Sequence, residues 1–142
     1  MISTKGRYAL RVLVDLAEQG EGARAPLKDI AERQGISEKY LQRIVRTLVS
    51  AGLLEGTSGK GGGYMLTRRP DEYVAADVLE LVEGTIAPVA CLAKGAEPCE
   101  RAATCKTLPM WKGFYEQELA YFGSITVASL LEGQPVNAEA SS

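Results

Sequence analysis

The residues of this chain that could do chemistry fall into two groups, one of thiols and one of cations with an amide. The thiols are Cys91, Cys99 and Cys105, in a stretch from 85 to 106 that shows no helical or strand period and contains Pro88, Gly95 and Pro98. Three is a poor number for a disulfide framework, and nothing in the sequence places these residues in an oxidising compartment. Metal, cluster or redox chemistry is therefore expected, with inert thiols or a reversible disulfide as the competing readings. Thiolates are soft donors suited to iron-sulfur clusters, whereas the spacing lacks the close Cys-x-x-Cys knuckles of most structural zinc sites. In the second group, Lys39, Gln42, Arg43 and Arg46 recur at helical spacing, and Lys60 stands in the run Gly-Thr-Ser-Gly-Lys-Gly-Gly-Gly from 56 to 63. Cations and amides so placed suit phosphates and base edges, although a solvated outer helix face would carry charge as well. A nucleotide phosphate loop is excluded by spacing, because Leu54 and Gly61 occupy the places where that loop needs a glycine and a hydroxyl.

These residues need elements to hold them. From Ser37 to Val49 the apolar residues Leu41, Ile44, Val45, Leu48 and Val49 trace one buried helical stripe, with Ser37 as the N-terminal cap and Gly52 as the stop. Before it, Leu27 to Gln34 follows Pro26 as a shorter helix with Leu27, Ile30 and Ala31 inward, and Gly35 and Ile36 leave only a tight turn between the two. Two helices so joined, the second carrying the polar and basic face, make a helix-turn-helix pattern. A first helix is expected over 4–19, with Glu21 to Ala25 as a polar loop after it. Beyond Gly52 the period becomes extended: Leu53 to Glu55 and Tyr64 to Thr67 read as strands joined through the glycine-rich run, a hairpin shaped like a wing. Val74 to Glu83 reads as a helix with Val74, Val78, Leu81 and Val82 inward, and Leu108 to Phe122 as a long one lined by Trp111, Tyr115, Leu119, Phe122 and Phe114. So aromatic a face calls for cover, from the core or from a second copy of the helix. Thr126 can cap a last short helix through Leu131.

The expected fold is thus mainly α with a small β-hairpin wing: a winged helix-turn-helix plus a long dimerisation helix. The expected divisions are a DNA-binding domain over 1–84, a cysteine-bearing sensor loop over 85–106, the dimerisation and terminal helices over 107–132, and a disordered tail over 133–142. The net charge of −2 conceals an asymmetry. Residues 1–69 hold 12 Lys or Arg against 7 Asp or Glu, and residues 70–142 hold 4 against 11, so the half with the helix-turn-helix is the one that would meet phosphates. There is no histidine, no phosphate loop and no recognisable nucleophile paired with a base, so an enzyme is not expected. Nor is there an apolar run long enough to cross a bilayer or a secretory leader, and a cytoplasmic protein is expected. A winged helix can also serve as a protein-interaction module, which is the rival from another functional class.

In their order, Ser-Thr-Lys-Gly-Arg-Tyr-Ala at 3–9, Ile-Ala-Glu-Arg-Gln-Gly-Ile-Ser at 30–37, Tyr40-Leu41, Gly-Gly-Gly-Tyr at 61–64 and the three cysteines followed by Trp111 resemble the IscR/NsrR-type winged-helix transcriptional regulators. The resemblance runs from Ser3 to about Glu132. It implies a homodimeric repressor on a palindromic double-stranded DNA operator, with the helix from Ser37 in the major groove and the wing at the minor groove. Carried onto this chain, Gln42 would read adenine and Arg43 would read guanine or hold a phosphate, while Ser37, Lys39, Tyr40, Arg46, Ser58, Lys60 and Gly61 would meet the backbone. It also implies that Cys91, Cys99 and Cys105 ligate an iron-sulfur cluster, 2Fe-2S or 4Fe-4S, that modulates DNA binding. Seven residues separate the first two cysteines where five are usual, and five separate the last two, as in the family. The fourth ligand of the family is absent at both places where it occurs, with Leu108 in place of a histidine and Tyr8 in place of an aspartate. Glu97, Glu100, a carboxylate of the other subunit or a small exogenous molecule are the candidates for that place. The alternative is a cluster-free regulator switched by thiol oxidation or by an effector protein.

Overall fold

The computed structural model describes residues 2–97 and 99–133. Helix α1 (Thr4–Glu18) starts where the Ser3 hydroxyl accepts the Lys5 N–H, and it buries Ala9, Val12, Leu13 and Leu16. Asp15 lies on the same face and is 1% exposed. A charge so shielded needs partners, and its carboxylate accepts from Arg33 Nη2 at 2.7 Å, Arg33 Nε at 3.1 Å and Gln34 Nε2 at 2.8 Å. Both donors sit at the end of α2 (Leu27–Gln34), so one buried carboxylate fixes α2 across α1. The hydrogen bond to Asp15 chiefly raises the pKa of the Arg33 guanidinium above its ordinary value.

Gly35 ends α2 in the left-handed conformation at φ 65°, and Ser37 then caps α3 (Glu38–Ser50) by accepting the Tyr40 N–H at 3.2 Å. Leu41, Ile44, Val45 and Leu48 are buried as the period requires. Val49 differs: at the edge of the stripe it is 37% exposed and looks onto the hairpin instead of the core. The Leu53 N–H bonds to the Leu48 carbonyl at 2.9 Å and the Gly52 N–H to Val49 at 3.0 Å, closing the helix on a glycine and turning the chain outward.

Strands β1 (Leu54–Thr57) and β2 (Gly63–Leu66) pair antiparallel, Leu54 opposite Leu66 and Thr57 opposite Gly63. The hairpin is longer toward its tip than its apolar residues imply, because Gly56, Thr57 and Gly63 are themselves paired, leaving Ser58 to Gly62 as the turn. Ala25 adds a further rung: its N–H donates to the Tyr64 carbonyl at 3.0 Å, and the Tyr64 N–H donates back at 2.8 Å. That rung needs glycine at 63, where φ is 140° and a Cβ would lie 2.5 Å from the Ala25 oxygen. At the base of the hairpin the buried Tyr73 hydroxyl donates to the Leu53 carbonyl at 2.7 Å and accepts the N–H groups of Thr67 at 3.0 Å and Arg68 at 3.2 Å.

Helix α4 (Ala75–Glu83) packs on α1 through a stripe that includes Ala75, Val78, Leu79 and Val82. Leu81, expected inward, is 43% exposed because Leu79 holds the place in the stripe. Glu83 at its end accepts the N–H groups of Ser3 at 2.7 Å and Gly6 at 2.9 Å, tying α4 to the first turn of α1. A long loop with one 3-10 turn (Ala90–Leu92) leads to α5 (Leu108–Gly123), which leans on α4 and has the Tyr115 hydroxyl on Glu80 at 2.8 Å. The chain then returns to the core. Val127 N–H bonds to the Tyr73 carbonyl at 3.0 Å, and α6 (Val127–Leu131), capped by Thr126, packs on α1. Most of the expected tail, 134–142, lies outside the described residues.

Candidate nucleic-acid interface

Because Leu41, Ile44, Val45 and Leu48 face the core, the helical period turns Lys39, Gln42, Arg43 and Arg46 outward, and all four are exposed. Neither they nor Lys60 form an ion pair among the described residues. The charges of Lys39, Arg43, Arg46 and Lys60 are thus open to an outside anion. The outer side of α3 and the hairpin form the two walls of an open groove of about 730 Å³. Gln42, Arg46 and Val49 line one wall, Thr57, Ser58, Gly59 and Gly61 the other, and Pro26 and Leu27 at the start of α2 also line it. Of the expected site residues the fold therefore brings Gln42, Arg46, Ser58 and Gly61 to one concavity. Lys39, Arg43 and Lys60 are exposed but do not line it, and Ser37 stands at the head of α3 with its hydroxyl oxygen engaged as the cap. Tyr40 is half-buried, its ring edge-on to Tyr8 at 5.7 Å, and Arg11 lies 5.1 Å over the far ring.

Two supports of the wing escape the sequence reading. Ala25 and Arg24 sit in what reads as a polar loop, yet Ala25 pairs with the wing and Arg24 Nη1 donates to Thr57 Oγ1 at 2.8 Å. A bridge of one residue leaves no period, so only the proline after it hinted at extended backbone.

The cysteines occupy a different region. Cys91 is half-buried in the 3-10 turn, Cys99 is exposed, and Cys105 is half-buried just before α5; all three are free thiols. Cys105 Sγ lies 3.4 Å from Thr107 Oγ1, and that hydrogen bond, with the Thr107 N–H, holds the thiol below its ordinary pKa. The donor types suit an iron-sulfur cluster, three thiols on a loop with little secondary structure of its own. Their arrangement is not that of an assembled site: among the described residues no three Cys, Asp or Glu side chains form a ligand set, and Glu97 and Glu100 do not complete one.

The Rrf2 family, described as iron-dependent transcriptional regulators, matches residues 2–133. This chain belongs to that family. It is 34% identical over 135 residues to the HTH-type transcriptional regulator IscR of Xenorhabdus nematophila, covering 95% of this chain and 81% of the relative. The IscR of Escherichia coli O1:K1 / APEC is 32% identical over the same share of this chain. Among solved structures, CymR, the global cysteine regulator of B. subtilis, superposes with a TM-score of 0.76 at 34% identity over 94% of this chain and 98% of that one. The IscR of T. potens gives 0.74 at 30% identity over 100% and 91%. The winged helix-turn-helix fold and the role of an Rrf2-family transcriptional regulator follow. No described helix is long and apolar enough to cross a membrane.

Proposed function

We propose that this chain is a sequence-specific DNA-binding repressor that works as a homodimer, with α3 in the major groove and the hairpin at the neighbouring minor groove. The observation that carries this reading is the pairing of Gln42 and Arg46 with a glycine-tipped hairpin across one open groove. Gln42 is the base reader, since an amide can pair bidentately with adenine; Arg43 reads guanine or holds a phosphate. Ser37, Lys39, Tyr40, Arg46, Ser58, Lys60 and Gly61 meet the backbone, where the small residues let the chain approach a phosphate closely. The DNA-binding part spans 1–84, and α5 pairs the subunits. Helix α5 buries none of its residues within one chain and leaves Met110 57% and Phe114 51% exposed, a face that a second copy would cover on the two-fold axis of a palindromic operator. In a binding assay, Gln42→Ala is expected to cost roughly 1–3 kcal/mol on the operator and little on random DNA, whereas Lys60→Ala weakens both about equally. Equal losses on the two DNAs for Gln42→Ala would sink the base-reading role.

The loop over 85–106 is the sensor. In the primary reading Cys91, Cys99 and Cys105 hold an iron-sulfur cluster, which would supply iron to thiolate bonds that order a loop lacking a core. Names of the relatives support it, since several are IscR proteins. A second reading is favoured by Cys99, a free thiol exposed to solvent. Here thiol oxidation is the switch; Staphylococcus aureus CymR, 30% identical with a TM-score of 0.73, has been solved in an oxidised form. Anaerobic purification with iron and sulfide assays separates the two. Stoichiometric iron and sulfide, lost in Cys91→Ala, Cys99→Ala and Cys105→Ala, supports the cluster; iron-free protein whose DNA affinity follows thiol oxidation supports the switch.

A further inference from the structure

Arg24 is a cation held on the wing by the fold itself. Its backbone is fixed on one side by the two hydrogen bonds between Ala25 and Tyr64 and continues into Pro26 at the head of α2. Its side chain is exposed, and Nη1 donates to Thr57 Oγ1 at 2.8 Å. Thr57, like Pro26, lines the groove between α3 and the hairpin, so the guanidinium stands at the rim of that groove on the wing side. Glu55 is on the same strand face as Thr57, two residues back, yet Arg24 forms no ion pair with it or with any other carboxylate among the described residues. A guanidinium carries five N–H donors in a planar fork, and one bond to a hydroxyl orients the fork without neutralising it.

We infer that Arg24 is a phosphate-binding residue of the DNA interface, reaching the backbone of the duplex from the wing side of the groove while Thr57 sets its direction. This rests on the DNA-binding reading above and extends it to a residue outside both α3 and the wing tip. Pre-orientation matters here, because a flexible surface arginine loses rotamer freedom when it binds, whereas a braced one has lost much of it already.

The test measures binding of the full chain to two duplexes of equal length, one enriched from a random pool by the parent protein and one of random sequence, across a salt series. Arg24→Ala is expected to weaken both duplexes by a similar factor, about three- to tenfold, and to lower the salt slope by about 0.9 for each bound protomer. Arg24→Lys keeps the slope while losing part of the affinity. Thr57→Val removes the brace but keeps the charge, so it leaves the slope of the parent. Melting curves of each variant establish that the fold is intact. The inference is overturned if Arg24→Ala changes neither affinity nor slope, if Arg24→Ala and Thr57→Val give the same loss with an unaltered slope, as a mere wing brace would, or if the loss is confined to the enriched duplex. A parent protein with no salt-dependent binding to either duplex would remove the DNA reading itself, a different result from a parent that binds and an Arg24 variant that binds as well.

Discussion

Tyr73 is 1% exposed and its hydroxyl makes three hydrogen bonds to the backbone on both sides of the hairpin base. Its ring belongs to the core, but its oxygen decides where the hairpin leaves the core. Tyr73→Phe keeps the ring and strands two N–H groups and one carbonyl, so a loss of about 1–3 kcal/mol is expected by urea unfolding. A change below about 0.5 kcal/mol would mean that water replaces the hydroxyl. Such a residue is illegible beforehand, since a tyrosine after a Pro-Asp-Glu turn carries no mark of the three partners that folding brings to it. The same holds for Arg24 and for Asp15, whose position on the apolar side of α1 becomes intelligible only once Arg33 and Gln34 are seen to meet it. By contrast, the Ser37 cap and the outward set Lys39, Gln42, Arg43 and Arg46 were legible, because caps and helical period depend on neighbours close in sequence.

At the scale of elements, periodic apolar patterns located α1 to α5 and a capping threonine marked α6, and the patterns failed at the edges of the stripes. Val49 and Leu81 are apolar and nearly in phase, but whether an edge position is covered depends on what packs there. The strands lie nearer the hairpin tip than expected, taking in Gly56, Thr57 and Gly63 and leaving out Leu53 and Thr67, as glycines have no side-chain period to read. The cysteine loop has no period at all, so its placement depends on tertiary contacts that sequence spacing does not carry. Helix α5 was legible as a helix and as an apolar surface, though its cover was not. If a second copy supplies that cover, Phe114→Glu introduces a charge into the contact and raises the dimer dissociation constant at least about tenfold, read by sedimentation equilibrium. Since Phe114 is exposed within one chain, the helical circular dichroism should not change. An unaltered dimer would place the contact elsewhere.

Across the whole molecule α1 is the common support. It meets α2 through Asp15, α3 through the Tyr8–Tyr40 contact, α4 through Glu83, and α6 by packing. The Glu83 contact makes this support sensitive to acid. Burial works to raise the Glu83 carboxyl, but the Ser3 N–H and hydroxyl and the Gly6 N–H outweigh it and hold the group below the ordinary carboxyl range. A carboxylate depressed by folding contributes stability that is present above the unfolded pKa, about 4.3 for glutamate, and is lost as pH falls through the lower folded value. Glu83→Gln is therefore expected to melt below the parent near neutrality, with the gap narrowing as the pH drops below about 4.3. Thermal melts from neutral into acid measure it, and two parallel curves would show that Glu83 does not titrate on folding.

The two sides of α3 have separate obligations. Leu41, Ile44, Val45 and Leu48 hold the helix to the molecule, while Lys39, Gln42, Arg43 and Arg46 touch little of it. Exposed positions of this kind accept substitution within about 0.5 kcal/mol. If the outer side reads DNA as proposed, substitutions there can redirect target choice while the scaffold stays unaltered.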